Sequence, residues 1–134
     1  MNLSSVYADE LDVSTTSGDV FGDVHCVNVD AETISGDISL TTWENTEKIE
    51  ISTTNGDVWC NVSNAAIRSI DADTTSGEVF LSIPWEMGFT LEYSTVSGGI
   101  SSSFDMDWQD GKHVCNGGGC EIEVETVSGN LEIY

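Results

Sequence analysis

One four-residue word recurs six times in this chain: Thr15-Thr16-Ser17-Gly18, Thr33-Ile34-Ser35-Gly36, Thr53-Thr54-Asn55-Gly56, Thr74-Thr75-Ser76-Gly77, Thr95-Val96-Ser97-Gly98 and Thr126-Val127-Ser128-Gly129. The glycines are spaced by 18, 20, 21, 21 and 31 residues. A near-constant period of this length is the mark of a solenoid, in which each repeat is one coil that buries its apolar side only by stacking on its neighbours.

Alignment on the glycines sorts the remaining positions into columns. Seven residues before the glycine stand Leu11, Val29, Ile49, Ile70, Leu91 and Ile122, and five before it stand Val13, Ala31, Ile51, Ala72, Tyr93 and Val124. Two after it stand Val20, Ile38, Val58, Val79, Ile100 and Leu131, followed at the fourth position by Gly22, Leu40, Cys60, Leu81, Ser102 and Ile133. Apolar residues at every second position, rich in β-branched types, predict a half-buried strand on each side of the glycine. Matching columns favour coils that pair in parallel with their copies over a hairpin meander, which needs no common phase. The expected fold is therefore all-β. It is a single-chain parallel β-helix, right-handed by the general preference of parallel connections, with about six coils of ~20 residues over 1–134. Each coil is expected to stack on the next in chain order. The glycine reads as a corner needing positive φ, and the threonine as an inward side chain bonding backbone or the next coil's threonine.

The 31-residue interval holds an insertion at 105–119, with turn signals at Asp110-Gly111 and Asn116 to Gly119. It reads as a protruding loop or hairpin before the last coil. Cys115 and Cys120 flank its glycine run and are expected to bridge it, adding ~2 kcal/mol. Cys60 falls on an inward column. Cys26 lies about two coil steps away from it, roughly 9.6 Å, so no Cys26–Cys60 bridge is expected. The chain stops in mid-coil at Leu131 to Tyr134, which suggests an uncapped end and end-to-end association.

Twenty-four acidic residues against Lys48, Arg68 and Lys112 give a formal charge of −21. Such a chain cannot displace counterions from phosphates, which excludes nucleic acid and anionic membrane as partners and favours cations or a basic partner. No stretch is long enough to span a bilayer. Met1 runs almost directly into patterned sequence, so any signal or anchor is expected outside it.

The words TTSGDV, TISGDI, TTNGDV and TTSGEV, each after an apolar-acidic-apolar run, and the closing CEIEVETVSGNLEIY resemble an adhesin-named family of bacterial β-helical domains of unknown function. The resemblance spans Leu11 to Tyr134, and the departures are Gly99 and Asn130, where other coils carry an acid. It implies an extracellular, cell-surface β-solenoid, often encoded beside envelope-stress genes in Gram-positive bacteria, and it carries over no catalytic residues.

Two acidic columns stand out. One, six residues before the glycine, is Asp12, Asp30, Glu50, Asp71, Glu92 and Glu123; the other, just after it, is Asp19, Asp37, Asp57 and Glu78. Stacked, they form ladders of like charge that are either a solvated face or a Ca²⁺ site, since Ca²⁺ takes six to eight oxygen ligands. A broken aromatic column three after the glycine holds Phe21, Trp59 and Phe80. It is expected to form an exposed patch for a protein or glycan, to pack with Trp108 under the long loop, or to enter a dimer interface. Catalysis is not expected: His25 and His113 lie in no catalytic motif, three basic residues do not make a lyase, and no carboxylate pair is distinguished on a regular ladder. The leading expectation is a non-enzymatic interaction or structural module of the bacterial envelope, with no required cofactor. A Ca²⁺-stabilised or carbohydrate-binding adhesin module comes second, and a polysaccharide-active enzyme third.

Overall fold

The computed structural model describes residues 2–42, 46–62, 67–83, 88–102, 107–109, 112–115 and 120–133. The strands are β1 (Asn2–Ser17), β2 (Val20–Ser35), β3 (Ile38–Thr42), β4 (Lys48–Asn55), β5 (Val58–Val62), β6 (Ser69–Ser76) and β7 (Val79–Ser82), then β8 (Phe89–Ser97), β9 (Ile100–Ser102), β10 (Asp107–Gln109), β11 (Lys112–Cys115), β12 (Cys120–Ser128) and β13 (Leu131–Ile133). All belong to one curled sheet, and every pairing between repeat strands is parallel. The chain is a β-solenoid. Strands before the glycine form one stack and strands after it form a second, with β2 long enough to pair with β4 in the first and β3 in the second.

The inward columns are as the alternation predicts. Ile49, Ile51 and Thr53 of β4 are buried while their neighbours are not, and the same phase holds in β5 and β12. The core between the stacks contains Val29, Ile38, Leu40, Ile49, Ile70, Leu81, Leu91, Ile122 and Leu131, each at most 2% exposed.

Coil order departs from chain order. β12 pairs with β6 on one side and β8 on the other, and β13 lies likewise between β7 and β9. The last coil is thus inserted between the fourth and fifth, and the expectation that each coil stacks on its successor fails at this point. The 31-residue interval is what permits it. After β9 the chain makes an antiparallel hairpin of β10 and β11, β11 pairs with the outer edge of β8, and the chain then returns into the gap. Part of 105–119 is therefore a hairpin that covers an otherwise open strand edge. The turn signals at 110–111 and 116–119 lie outside the described residues.

The expected Cys115–Cys120 bridge is overturned. Cys115 and Cys120 both pair with Phe89, from opposite sides of β8. Their backbones are two strand spacings apart, about 9.6 Å, too far for a disulfide, and Cys120 is a free, buried thiol. Cys26 and Cys60 are likewise buried thiols outside any disulfide. Burial pushes the Cys60 thiol up to about 12, and burial with the charge of Glu121 does the same at Cys120. Leu131, Glu132 and Ile133 are paired on both sides, so the C-terminal coil offers no free edge for end-to-end association. The stack ends instead at β1 and at the fifth coil. There Leu11, Thr15, Tyr93, Thr95 and Ile100 are only half-buried, although their counterparts in interior coils are buried.

The repeat glycine is required for approach as much as for turning. Gly36 has φ +148°, and a side-chain carbon placed on it would overlap the carbonyl oxygen of Gly18. The same overlap recurs from Gly56 to Gly36, Gly77 to Gly56, Gly129 to Gly77 and Gly98 to Gly129, which traces the order of the coils. Gly56→Ala is expected to destabilise the fold by ~2 kcal/mol or more, because backbone must move. Gly99→Ala, with open space around it, is expected to change stability by less than ~1 kcal/mol; urea unfolding of both variants measures the difference. A chain ending at Gly119 is expected to lose most of its β-sheet circular dichroism, since two interior strands are removed. A consecutively stacked solenoid would merely be shortened.

Candidate functional site

Three devices recur at the corners of Gly18, Gly36 and Gly56, whereas Thr126 Oγ1 donates within its own coil to the Gly129 carbonyl (3.2 Å). Threonine donates to the preceding coil's glycine carbonyl: Thr53 Oγ1 to Gly36 (3.2 Å), Thr74 Oγ1 to Gly56 (3.3 Å) and Thr33 Oγ1 to Gly18 (3.5 Å). The glycine admits the close approach. The acid after the glycine accepts the next coil's backbone N–H: Asp37 N–H donates to Asp19 Oδ1 (3.0 Å), Asp57 N–H to Asp37 Oδ1 and Glu78 N–H to Asp57 Oδ1 (both 2.9 Å). Asn130 continues this ladder, its Oδ1 accepting from Gly99 N–H at 2.9 Å. Gly99 ends the ladder with no coil beyond it to serve. The two departures from the acidic pattern are thus the same feature: an amide oxygen replaces a carboxylate, and the terminal coil needs neither.

The second ladder follows the register Asp12, Asp30, Glu50, Asp71, Glu123, Glu92. Residues two positions along each strand share its outward face, and they add Glu32, Asp73 and Glu125. Lys48 pairs with Glu50 at 3.2 Å. Burial, then Asp12, Glu50 and Glu32, push the Asp30 carboxyl up against the opposing pull of Lys48. Burial, then Glu50 and Glu125, raise Asp71 likewise. Asp73 is displaced furthest, to about 6, by burial and then by Asp71, Glu125, Glu123 and Glu50. Its Oδ1 is buried without a hydrogen-bond partner. Asp30, Glu50, Asp71 and Asp73 line an open depression of about 240 Å³. Among the described residues, no three carboxylate, imidazole or thiol side chains are grouped so as to hold a metal ion.

The aromatic column is divided by the register Phe21, Ser39, Trp59, Phe80, Glu132, Ser101. Trp59 and Phe80 are stacked, with centroids 5.3 Å apart and planes within 5°. Phe21 is 45% exposed and separated from them by the Ser39 row. Trp108 lies in β10, at the outer end of the other strand stack, and its side chain is outside those described. The expected patch is therefore a pair rather than a group of four.

Beyond Phe80, the rows of the inserted coil and the fifth coil bring Glu132, Asn130, Gly99 and Ser101 alongside Glu78. Together with Ile100 and Leu131 they line a depression of about 330 Å³ against Phe80. Sequence reasoning placed Glu132 in the right column but not beside Phe80, since that neighbour depends on the coil order.

The whole of residues 1–134 matches the family model described as Toastrack DUF4097. The chain belongs to the Toastrack family. That family is of unknown function, and its solenoid-like fold agrees with the parallel stacks found in this Toastrack domain. No curated protein and no solved structure matches it.

Asp73 generates a pH prediction. Its folded-state carboxyl is raised to about 6 from an ordinary 3.8, so the native state takes up its proton before the unfolded state does. Keeping Asp73 ionised opposes folding fully above about pH 6, and that opposition is relieved as pH falls from 6 towards 4. Asp73→Asn is expected to raise the melting temperature at pH 7.5 by a few degrees and to flatten the rise between pH 6 and 4. The same melts repeated in EDTA are expected to be unchanged, since backbone amides occupy the Asp19, Asp37 and Asp57 Oδ1 atoms.

Proposed function

We propose that this Toastrack domain is a non-enzymatic, extracellular interaction module of the bacterial cell envelope, and that it contacts its partner through the face of β5, β7, β13 and β9. The observation that carries this reading is the stacked Trp59–Phe80 pair on the outward side of a regular sheet. Aromatic rings half-open to solvent, on a surface otherwise made of small polar and acidic residues, are the composition of an interaction anchor. The acidic corner ladder has a structural duty as amide acceptor, which sets it apart from the contact chemistry and supports a reading without a cofactor. The adhesin role suggested by the sequence resemblance belongs to this same proposal, as does its surface location.

Asp73 has the furthest-raised carboxyl among the described residues, and it is the observation that favours a polysaccharide-active enzyme. Against that reading, it stands on a broad sheet face beside a shallow depression, surrounded by charges of one sign. A glycosidase acid and its partner flank a bond held in a cleft.

The face is tested by co-sedimentation of labelled protein with purified bacterial cell envelopes. Trp59→Ala/Phe80→Ala is expected to reduce the bound fraction at least about five-fold, with circular dichroism unchanged. Asp12→Asn/Asp30→Asn, on the other face, is expected to leave it unaltered. Equal sedimentation of the aromatic variant and the wild type would refute the assignment.

A further inference from the structure

We propose that the depression beside Phe80 receives an arginine side chain from a basic partner protein. The inference rests on the reading that the Trp59–Phe80 face is the contact surface, and it specifies the chemistry of the partner.

Three observations carry it. First, Phe80 is stacked on Trp59 on one side, its other strand neighbour is Glu132, and it lines the depression together with Ile100. Second, the anionic groups converge there because of the coil insertion. Register puts Glu132 next to Phe80 on one side and Ser101 on the other, and Glu78 lines the same space. Had the fifth coil followed the fourth, Phe80 would face Ser101 and the carboxylate would lie one row further out. Third, the three basic residues of the chain all fall on the other stack or at its start: Lys48 in β4, Arg68 directly before β6 and Lys112 in β11. Among the described residues, no lysine or arginine lines the depression.

A flat aromatic face beside two carboxylates is the chemistry that recognises a guanidinium. The cation lies over the ring while its N–H groups reach the oxygens. Arginine suits this better than lysine, because its plane stacks and its fork donates to more than one acceptor. The small residues Gly99 and Ser101 leave room for the side chain, and about 330 Å³ accommodates it. An anionic ligand is opposed by Glu78 and Glu132, and the net charge of −21 adds attraction for a basic protein at long range.

The test is isothermal titration of the whole domain at low salt with acetyl-(Gly-Arg)₃-amide, its lysine and glutamate counterparts, and a hexamer of N-acetylglucosamine. The arginine peptide is expected to bind most tightly and the glutamate peptide not at all. Phe80→Leu, which keeps bulk but removes the π face, is expected to weaken arginine binding about five-fold, and Glu132→Gln by a similar factor. Asp12→Asn/Asp30→Asn is expected to leave the affinity within about two-fold, which separates the site from general attraction to an acidic surface. The inference is overturned if Phe80→Leu and Glu132→Gln bind the arginine peptide as the wild type does, or if the sugar hexamer binds and the peptide does not. If envelope co-sedimentation still depends on Trp59 and Phe80 in either event, the contact face stands and only the arginine assignment falls. Should co-sedimentation be indifferent to the aromatic pair, the face itself is wrong.

Discussion

The contact between the glycine of one coil and the glycine carbonyl of its neighbour sets the terms for the rest of the molecule. It brings successive corners close enough that a side-chain carbon has no room, and it holds adjacent strands at hydrogen-bonding distance. Around this contact the repeat word works as a unit. Threonine satisfies the carbonyl that the glycine approaches, and the following acid satisfies the amide of the next corner. These corner groups are exposed or half-exposed, so the bonds replace bonds to water and each contributes about 0.5–1.5 kcal/mol net. Repetition of the device through the first four coils keeps the two stacks in phase.

The same requirement explains the placement of the last coil. A solenoid exposes a strand edge at each end. Inserting β12 and β13 into the interior pairs the end of the chain on both sides. The fifth coil, with β11 along β8, then becomes one end of the stack. The residues of that coil match an end position. Tyr93 replaces the aliphatic core side chain of its column, and its hydroxyl donates toward the carbonyls of Gly99 (3.0 Å) and Gly129 (3.2 Å). Gly99 offers no acceptor because no coil follows.

Electrostatics divides the two faces. On the face of the strands before the glycine, carboxylates recur at strand spacing, and burial, followed by the charge of neighbouring acids, raises the pKa at Asp30, Asp71 and Asp73. Repulsion between neighbours exposed to water is of order 1 kcal/mol and screened by salt, so a ladder of this kind is tolerated where it is solvated. On the face of the strands after the glycine, the acids nearest the corner are bound into the backbone, and the aromatic pair interrupts them. We propose the contact function for this second face because the stacked Trp59–Phe80 pair breaks its regular polar column.

Much of this was legible in the chain. The period of the glycines, the phase of the apolar columns and the β-branched residues specify parallel stacked strands, because only stacking buries alternate side chains of coils this thin. The departures at Gly99 and Asn130 were visible too, but their meaning was not, since each is explained by the row above or below it. Neighbour identity was what the sequence could not supply. Columns aligned on the glycines say which positions share a face, and they are indifferent to the order in which coils stack. Interior coils are nearly equivalent, so local propensity does not distinguish a fifth coil laid on the fourth from a sixth slipped between them. Tertiary structure decided that order by pairing the open edges. In doing so it separated Cys115 from Cys120, buried the C-terminal strand and set Glu132 against Phe80. The sequence by itself determined the coil, its corner and its two faces; long-range strand pairing alone determined which residues meet on them.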